Sequence, residues 1–197
     1  ANYLINYANP DEKCLEAACA CEGSYNIISL MIAQKIHVSE KAIINAIRLK
    51  NLPTINLLFQ MGFSPNEACL IEACKIHSEE IINRILLCKI TPTQQCFNAL
   101  IESSSLGYGR SKQAAKSLHI STLIDIMIQN GYVITYNDVY NALLHGCYIN
   151  GIQRFAIAFD SKFVEECTRI GFHPYSNLGV SSTLTCLYTE SERVGNV

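Results

Sequence analysis

The chain has 197 residues, of which 49% are apolar and 16% charged, and its formal net charge is −2. This composition belongs to a folded chain with a substantial core and excludes an intrinsically disordered protein. The charge argues against a general attraction to nucleic acid, which needs clustered Lys and Arg. No apolar run is long enough to span a membrane, and the N-terminal residues lack the profile of a signal peptide, so we expect a cytoplasmic protein that binds neither nucleic acid nor membrane.

Two kinds of segment recur along the chain with a period of 27 residues. Apolar segments with one shared pattern start at Ile27, Thr54 and Ile81. The polar connectors that follow them start at His37, Ser64 and Thr91. A fixed period of this kind indicates a repeat architecture.

Each unit is predicted to be a pair of short helices. The connectors end in Ser, Asn or Thr followed by Glu or Gln, which is a helix-start signal. The predicted first helices are KCLEAACAC, KAIINAIRL, EACLIEACK and QQCFNALIE, and the apolar segments are the predicted second helices. Gly62 and Gly131 follow second helices, where a left-handed C-cap favours glycine. Helices this short are not stable alone, so the pairs must stack, which predicts an all-α solenoid.

The segment 103–117 departs from the period and is rich in Ser, Gly, Lys and Arg. It predicts an inserted loop with one helical turn at Lys112–Ser117. Long loops on a rigid scaffold often carry function, so recognition by this loop and a solvated loop without function are both open.

Another helix pair follows the insertion, with a second helix from Leu123 and a first helix from about Asp138. The chain beyond this pair predicts a divergent C-terminal cap, as terminal repeats usually are. We therefore expect one helical-repeat domain over residues 1–175. The segment 176–197 has no helical period and predicts an extended or disordered tail.

Two segments resemble the ankyrin-repeat family. CLIEACKIHSEEIINRILLCKI resembles a full ankyrin helix pair, with Ala73 at the small-residue position and His77 at the break between the helices. SLHISTLIDIMIQNGY resembles an ankyrin second helix, with His119 near its start. The resemblance extends over residues 10–146 and is strongest to the ankyrin-like proteins that giant DNA viruses of the Mimivirus type encode. It implies an ankyrin-like solenoid that binds proteins, in the host cytoplasm if the chain is viral.

Ten cysteines are many for a chain of this length. Cys14 and Cys19, like Cys69 and Cys74, are five residues apart, which is about 140° around a helix axis, so the two do not share a face. The paired spacing of zinc ligands is also missing. We interpret the cysteines as reduced core residues of a repeated unit and expect no metal and no cofactor.

The histidines fall in connectors, helix breaks or helix ends, where they typically bind loop backbone groups. Catalytic motifs such as Gly-x-Ser-x-Gly and His-Glu-x-x-His do not occur, so we expect no enzyme and no small-molecule substrate.

We expect a protein–protein interaction scaffold, and the alternative is a structural spacer or assembly domain of a larger protein. In such a stack, the connectors and the exposed faces of the first helices would contact the partner. The candidate residues are His37, Ser39, Ser64, Asn66, Thr91 and Thr93 in the connectors, Asn45, Arg48, Glu72 and Lys75 on the first helices, and Arg110 and Lys112 in the insertion.

Overall fold

The computed structural model describes residues 10–103 and 110–145, and within these ranges the chain forms nine helices and no strand. The helices are α1 (Glu12–Cys19), α2 (Tyr25–Ala33), α3 (Glu40–Arg48), α4 (Leu52–Gln60), α5 (Glu67–Lys75), α6 (Glu79–Leu86), α7 (Gln94–Glu102), α8 (Arg110–Gln129) and α9 (Tyr136–Leu144). The prediction of an all-α protein is confirmed. None of these helices has both the length and the apolar character needed to cross a bilayer.

The helices pack as successive pairs. α1 contacts α2, α3 contacts α4, α5 contacts α6, and α7 contacts α8. The first members of the pairs also form a row in which α1, α3, α5, α7 and α9 each contact the next, while α2 contacts α4 on the other side. The buried side chains of these helices form one hydrophobic cluster. Because eight of the nine helices have only eight or nine residues, this packing rather than intrinsic propensity stabilises them.

Capping side chains set the starts of the first helices. Asp11, Ser39 and Asn66 precede α1, α3 and α5, and each side chain accepts a hydrogen bond from the backbone N–H three residues later, at 2.9, 3.3 and 3.2 Å. Each cap satisfies one of the backbone donors that a helix N-terminus leaves without a partner. The connector pattern therefore predicted the starts of α3 and α5 to within one residue, whereas Asp11 was not among the predicted caps.

Left-handed residues follow the helices at regular intervals. Gly23, Lys50 and His77 come after α1, α3 and α5 and lie 27 residues apart. Lys35, Gly62 and Lys89 come after α2, α4 and α6 with the same spacing, and Gly131 comes after α8. The predicted left-handed C-caps at Gly62 and Gly131 are confirmed, with φ of 94° and 96°.

The cysteines divide into two groups among the described residues. Cys19, Cys69, Cys74 and Cys96 are buried free thiols, whereas Cys14, Cys21 and Cys88 are exposed. The core interpretation is therefore confirmed for the first group and wrong for the second. Cys14 differs from Cys69 because α1 has a described neighbour in the row on one side only, whereas α5 lies between α3 and α7.

The predicted loop over 103–117 is wrong at its C-terminal end, because α8 begins at Arg110 and continues to Gln129. The helical turn predicted at Lys112–Ser117 is part of this longer helix. The stretch SKQAAKS contains Lys, Gln and Ala, which favour a helix, and this propensity outweighs the serines. The helix predicted from Leu123 is the C-terminal part of α8. Residues 104–109, the predicted cap after residue 146 and the tail over 176–197 lie outside the described residues, so the domain bounds stay a prediction.

Candidate interaction surface

Three of the first-helix candidates form one charged cluster between α3 and α5. Arg48 Nε donates to Glu72 Oε1 at 2.8 Å, and Lys75 Nζ lies 3.3 Å from Glu72 Oε2. The Glu72 side chain is only 12% exposed. Its hydrogen bond with Arg48 outweighs the effect of burial and lowers the pKa of Glu72. Arg48 and Glu72 therefore join neighbouring first helices, and Lys75 binds Glu72 within α5.

A second polar cluster joins α1 to α3 around Glu16. Ser39 Oγ donates to Glu16 Oε1 at 2.8 Å, and Asn45 Nδ2 donates to the Glu16 carbonyl oxygen at 3.0 Å. Lys41 Nζ lies 3.0 Å from Glu16 Oε2. The hydrogen bonds with Lys41 and Ser39 lower the pKa of Glu16. Ser39 and Asn45 were predicted to contact a partner, and the structure places both in contacts within the chain.

Asn66 and Thr93 make the same cross-link one unit apart. Asn66 Nδ2 donates to Glu40 Oε2 at 2.8 Å, between α5 and α3. Thr93 Oγ1 donates to Glu67 Oε1 at 2.5 Å, between the start of α7 and α5. In each pair, the residue before a first helix binds the glutamate that starts the previous first helix. These side chains also act between neighbouring helices.

The remaining connector candidates are exposed. His37 is 79% exposed, and its Nδ1 lies 3.6 Å from Glu12 Oε2. Ser64 and Thr91 are exposed at the equivalent position of the next two connectors, and neither hydroxyl binds a residue of the described ranges. Arg110 and Lys112 lie in the first turn of α8, and their side chains are outside what the structure describes.

A groove of about 610 Å³ lies between the connectors that start at His37 and Ser64. Apolar and polar side chains both line it. The lining residues are Ile32, Lys35, Ile36, His37, Val38, Glu40, Met61, Gly62, Phe63 and Ser64. Two candidate residues, His37 and Ser64, thus share one concave surface. Met61 is 53% exposed in the same groove.

Sequence reasoning missed Met61, because a methionine that ends an apolar segment resembles a core residue. A signal was nevertheless present in the 27-residue frame. The positions equivalent to Met61 hold Gln34, Cys88 and, after α8, Asn130, all of which are exposed. A position that accepts Gln and Asn in other units predicts exposure.

A buried polar network beside α7 and α9 was also missed. Asp138 is fully buried, and its carboxylate accepts hydrogen bonds from Thr135 N at 2.7 Å, Thr135 Oγ1 at 2.8 Å and Gln94 Nε2 at 2.5 Å. Tyr132 donates to Gln94 Oε1 at 3.1 Å and stacks on Phe97 with ring centroids 5.4 Å apart. The network caps α9 and joins it to α7, which is a structural role.

His77 lies at the break between α5 and α6 and binds a backbone group, as predicted, whereas His119 lies in the middle of α8 and not near a helix start. The Nε2 atom of His77 lies 3.0 Å from the Leu100 carbonyl oxygen and 3.0 Å from Ser103 Oγ. The Nε2 atom of His119 lies 3.0 Å from the His77 carbonyl oxygen. These contacts join successive helix pairs. His173 lies outside the described residues.

The described residues contain no group of His, Cys, Asp and Glu side chains arranged to hold a metal ion. Comparison of the chain with protein-family models, with curated proteins and with solved structures finds no match.

Proposed function

We propose that the chain is an ankyrin-like helical-repeat solenoid that acts as a non-catalytic protein-binding scaffold. The recurrence of structural features at 27 residues supports the architecture. Second helices begin at residues 25, 52 and 79, and first helices at residues 40, 67 and 94. Left-handed residues and the cross-links of Asn66 and Thr93 recur with the same period. Stacked units of this kind present an extended surface made of equivalent positions.

The observation that carries the function is the exposed row of connectors with its groove. His37, Ser64, Thr91 and Val133 occupy the same connector position, and all four are exposed. Their side chains differ in polarity, shape and size, although the backbone around them recurs. Different side chains at one fixed position provide the chemical variety that specific recognition requires, on a scaffold that stays the same.

The proposed contact surface includes only some of the twelve candidate residues. Six of them join neighbouring elements within the chain, namely Ser39, Asn45, Arg48, Asn66, Glu72 and Thr93, and Lys75 binds Glu72 within α5. Their role would be to fix the spacing of the connectors. A preformed surface reduces the entropy lost when a partner binds. Met61, with its half-exposed side chain in the groove, is the proposed apolar anchor.

Photo-crosslinking from the groove tests this proposal. The photoreactive residue p-benzoylphenylalanine replaces Met61 in one chain and Tyr25 in a matched control. Tyr25 is 42% exposed and begins α2, whereas Met61 follows the last residue of α4, so the two probes lie at opposite ends of second helices. We expect irradiation in cytosolic extract to join a defined protein to position 61 and not to position 25.

The alternative of a spacer or assembly domain gives a different result in the same experiment. Self-association would join position 61 to a second copy of the chain, and light scattering would show an oligomer without extract. Equal labelling from both positions would contradict recognition by the groove.

A further inference from the structure

The row of connectors carries positive charge and no acidic residue. The segments at the same place in successive units are QKIHV (34–38), MGFSP (61–65), CKITP (88–92) and NGYVI (130–134). Two of them contain a lysine and none contains Asp or Glu, although the whole chain has 17 acidic residues against 15 basic ones. The connector row is therefore more basic than the chain as a whole.

Lys35 brings this positive charge into the groove. It is exposed and lines the groove, and its backbone N–H donates to the Ile32 carbonyl oxygen at 2.8 Å, which fixes the position of its backbone. Within residues 10–103 and 110–145, no carboxylate forms an ion pair with the Lys35 ammonium group. This ammonium group is available to an acceptor from outside the chain.

The other two charged or titratable side chains of the groove already have partners. Glu40 Oε2 accepts a hydrogen bond from Asn66 Nδ2 at 2.8 Å, and His37 Nδ1 lies 3.6 Å from Glu12 Oε2. A cationic partner would have to compete with Asn66 for Glu40, whereas an anionic partner meets Lys35 without such competition. Charge complementarity in the groove therefore favours a carboxylate.

Apolar side chains lie beside this charge. Met61 is 53% exposed, and the half-buried Ile36 and Phe63 line the same groove. The volume of about 610 Å³ is in the range of sites that enclose small ligands, so a few side chains of a protruding segment are enough to fill it. A segment that carries an apolar residue beside an acidic one satisfies both parts of the groove.

We propose that the groove binds a linear segment of a partner protein in which Asp or Glu stands next to an apolar residue. The apolar side chain packs against Met61, and the carboxylate accepts a hydrogen bond from Lys35 Nζ. This inference rests on the proposed function, because it names the kind of segment that the groove of the scaffold binds. The apolar contact supplies most of the affinity, and the exposed charge pair supplies the preference for an acidic segment.

Selection of random linear peptides on the full chain tests the proposal. Phage-displayed peptides are selected at low salt, and the affinity of each enriched peptide is measured by fluorescence polarisation. We expect the enriched peptides to carry Asp or Glu next to an apolar residue and to bind more weakly as the NaCl concentration rises. Lys35→Glu should weaken their binding about tenfold or more, because attraction between the charges becomes repulsion.

Lys89→Glu is the matched control. Lys89 has φ of 62°, against 60° for Lys35, and holds the same position two units further along the chain, but it does not line the groove. The two substitutions should affect the fold equally, and only Lys35→Glu should affect peptide affinity. The composition of the enriched peptides and their salt dependence are measured with the unsubstituted chain, so they do not depend on the folding of a variant.

The outcomes distinguish this inference from the proposed function. Peptides that lose binding with Met61→Glu, but are uncharged or basic and keep their affinity for the Lys35→Glu chain, would overturn the acidic segment and leave the groove as a binding surface. Equal binding to the Met61→Glu chain, or no enrichment at all, would contradict both. An oligomer of the chain that excludes the peptides would show that a second copy occupies the groove, which also overturns the inference.

Discussion

At the scale of single residues, backbone conformation distinguishes units that otherwise correspond. Lys35 and Lys89 have φ of 60° and 62° at the position where Gly62 has φ of 94°. A side chain in this left-handed region destabilises the fold by about 1 kcal/mol relative to glycine. The surrounding chain therefore imposes on both lysines a conformation that lysine itself disfavours.

Lys89→Gly and Gly62→Ala should change the free energy of unfolding in opposite directions, although the two positions are equivalent. We expect Lys89→Gly to raise the free energy of unfolding by about 0.5–1 kcal/mol, because glycine relieves the left-handed strain. Gly62→Ala should lower it by about 1 kcal/mol, since no atom of residues 10–103 and 110–145 lies within 4 Å of the added methyl group and the strain is only conformational. Urea unfolding of both variants measures the two changes. A loss of stability in Lys89→Gly would contradict the assignment of strain.

Thr54 is the residue whose polarity conflicts most clearly with its surroundings. The side chain is 0% exposed in α4, and Oγ1 has no hydrogen-bond partner among the described residues. We expect Thr54→Val to raise the free energy of unfolding by about 1 kcal/mol, because an isosteric methyl group replaces a desolvated hydroxyl. Thr54→Ser is the control, and it should lower stability by about 1 kcal/mol because the hydroxyl stays and a buried methyl group is lost. Thermal unfolding of the two variants in parallel distinguishes them, and equal destabilisation would contradict the account.

At the scale of elements, the connector residue before a first helix acts on two helices. Asn66 Oδ1 accepts a hydrogen bond from Cys69 N and so caps α5, while Asn66 Nδ2 donates to Glu40 on α3. Asn66→Ala removes both contacts and should lower the free energy of unfolding by about 1–2 kcal/mol. Asn66→Asp keeps the cap but brings a second negative charge to Glu40.

Asn66→Asp, made in the unsubstituted chain and in the Glu40→Gln chain, measures the contact between α5 and α3. We expect Asn66→Asp to lower the free energy of unfolding by about 0.5–1 kcal/mol at pH 7. Glu40→Gln in the same chain should reverse this decrease, because the repulsion between the two carboxylates disappears. Chemical unfolding of the four chains of this double-mutant cycle gives the coupling energy. Additive changes would show that Asn66 serves as a cap only.

The Arg48–Glu72 contact makes stability depend on pH in a defined direction. The folded-state pKa of Glu72 is below its ordinary value of 4.5, so ionised Glu72 stabilises the fold above this pH. This contribution is lost as the pH falls through the folded-state pKa. Because Arg48 is 58% exposed, we expect the contribution of ionised Glu72 to stability to be at most about 1 kcal/mol.

Glu72→Gln should therefore lower the free energy of unfolding at pH 7, and the difference from the unsubstituted chain should disappear near pH 3. Urea unfolding across this range measures the difference. Glu22→Gln, an exposed carboxylate in the break after α1, is the control and should change little at either pH. A difference of the same size at both pH values would contradict the electrostatic origin.

Helix boundaries were predictable where the signal is local. The predicted first helices EACLIEACK and QQCFNALIE match α5 and α7 residue for residue, because the residue before each is a capping type. The start of α8 was missed because Ser and Gly in the segment 103–117 indicate a loop by composition, whereas its Lys, Gln and Ala favour a helix. The roles of Ser39 and Asn45 were missed because their partner, Glu16, lies on the neighbouring helix, and a local pattern does not give the offset between helices.

At the scale of the whole molecule, the proposed account separates residues that hold the stack from residues that bind. The polar residues of the first helices and the residue before each first helix join neighbouring units, whereas His37, Ser64 and Thr91 at the start of each connector remain exposed. The sequence predicted the connectors as a surface from their spacing alone. The groove and the exposure of Met61 required the structure, because they depend on how far one connector projects beyond the next.

The measurement that tests this separation most directly compares Met61→Glu with Arg48→Ala, in stability and in affinity for the protein captured at position 61. We expect Met61→Glu to weaken binding about tenfold or more without a change in unfolding, because a charge replaces the apolar anchor. Arg48→Ala should lower the free energy of unfolding by about 1 kcal/mol and leave the affinity unchanged. Loss of binding in Arg48→Ala with full binding in Met61→Glu would contradict the account, as would an oligomer of the chain that captures no other protein.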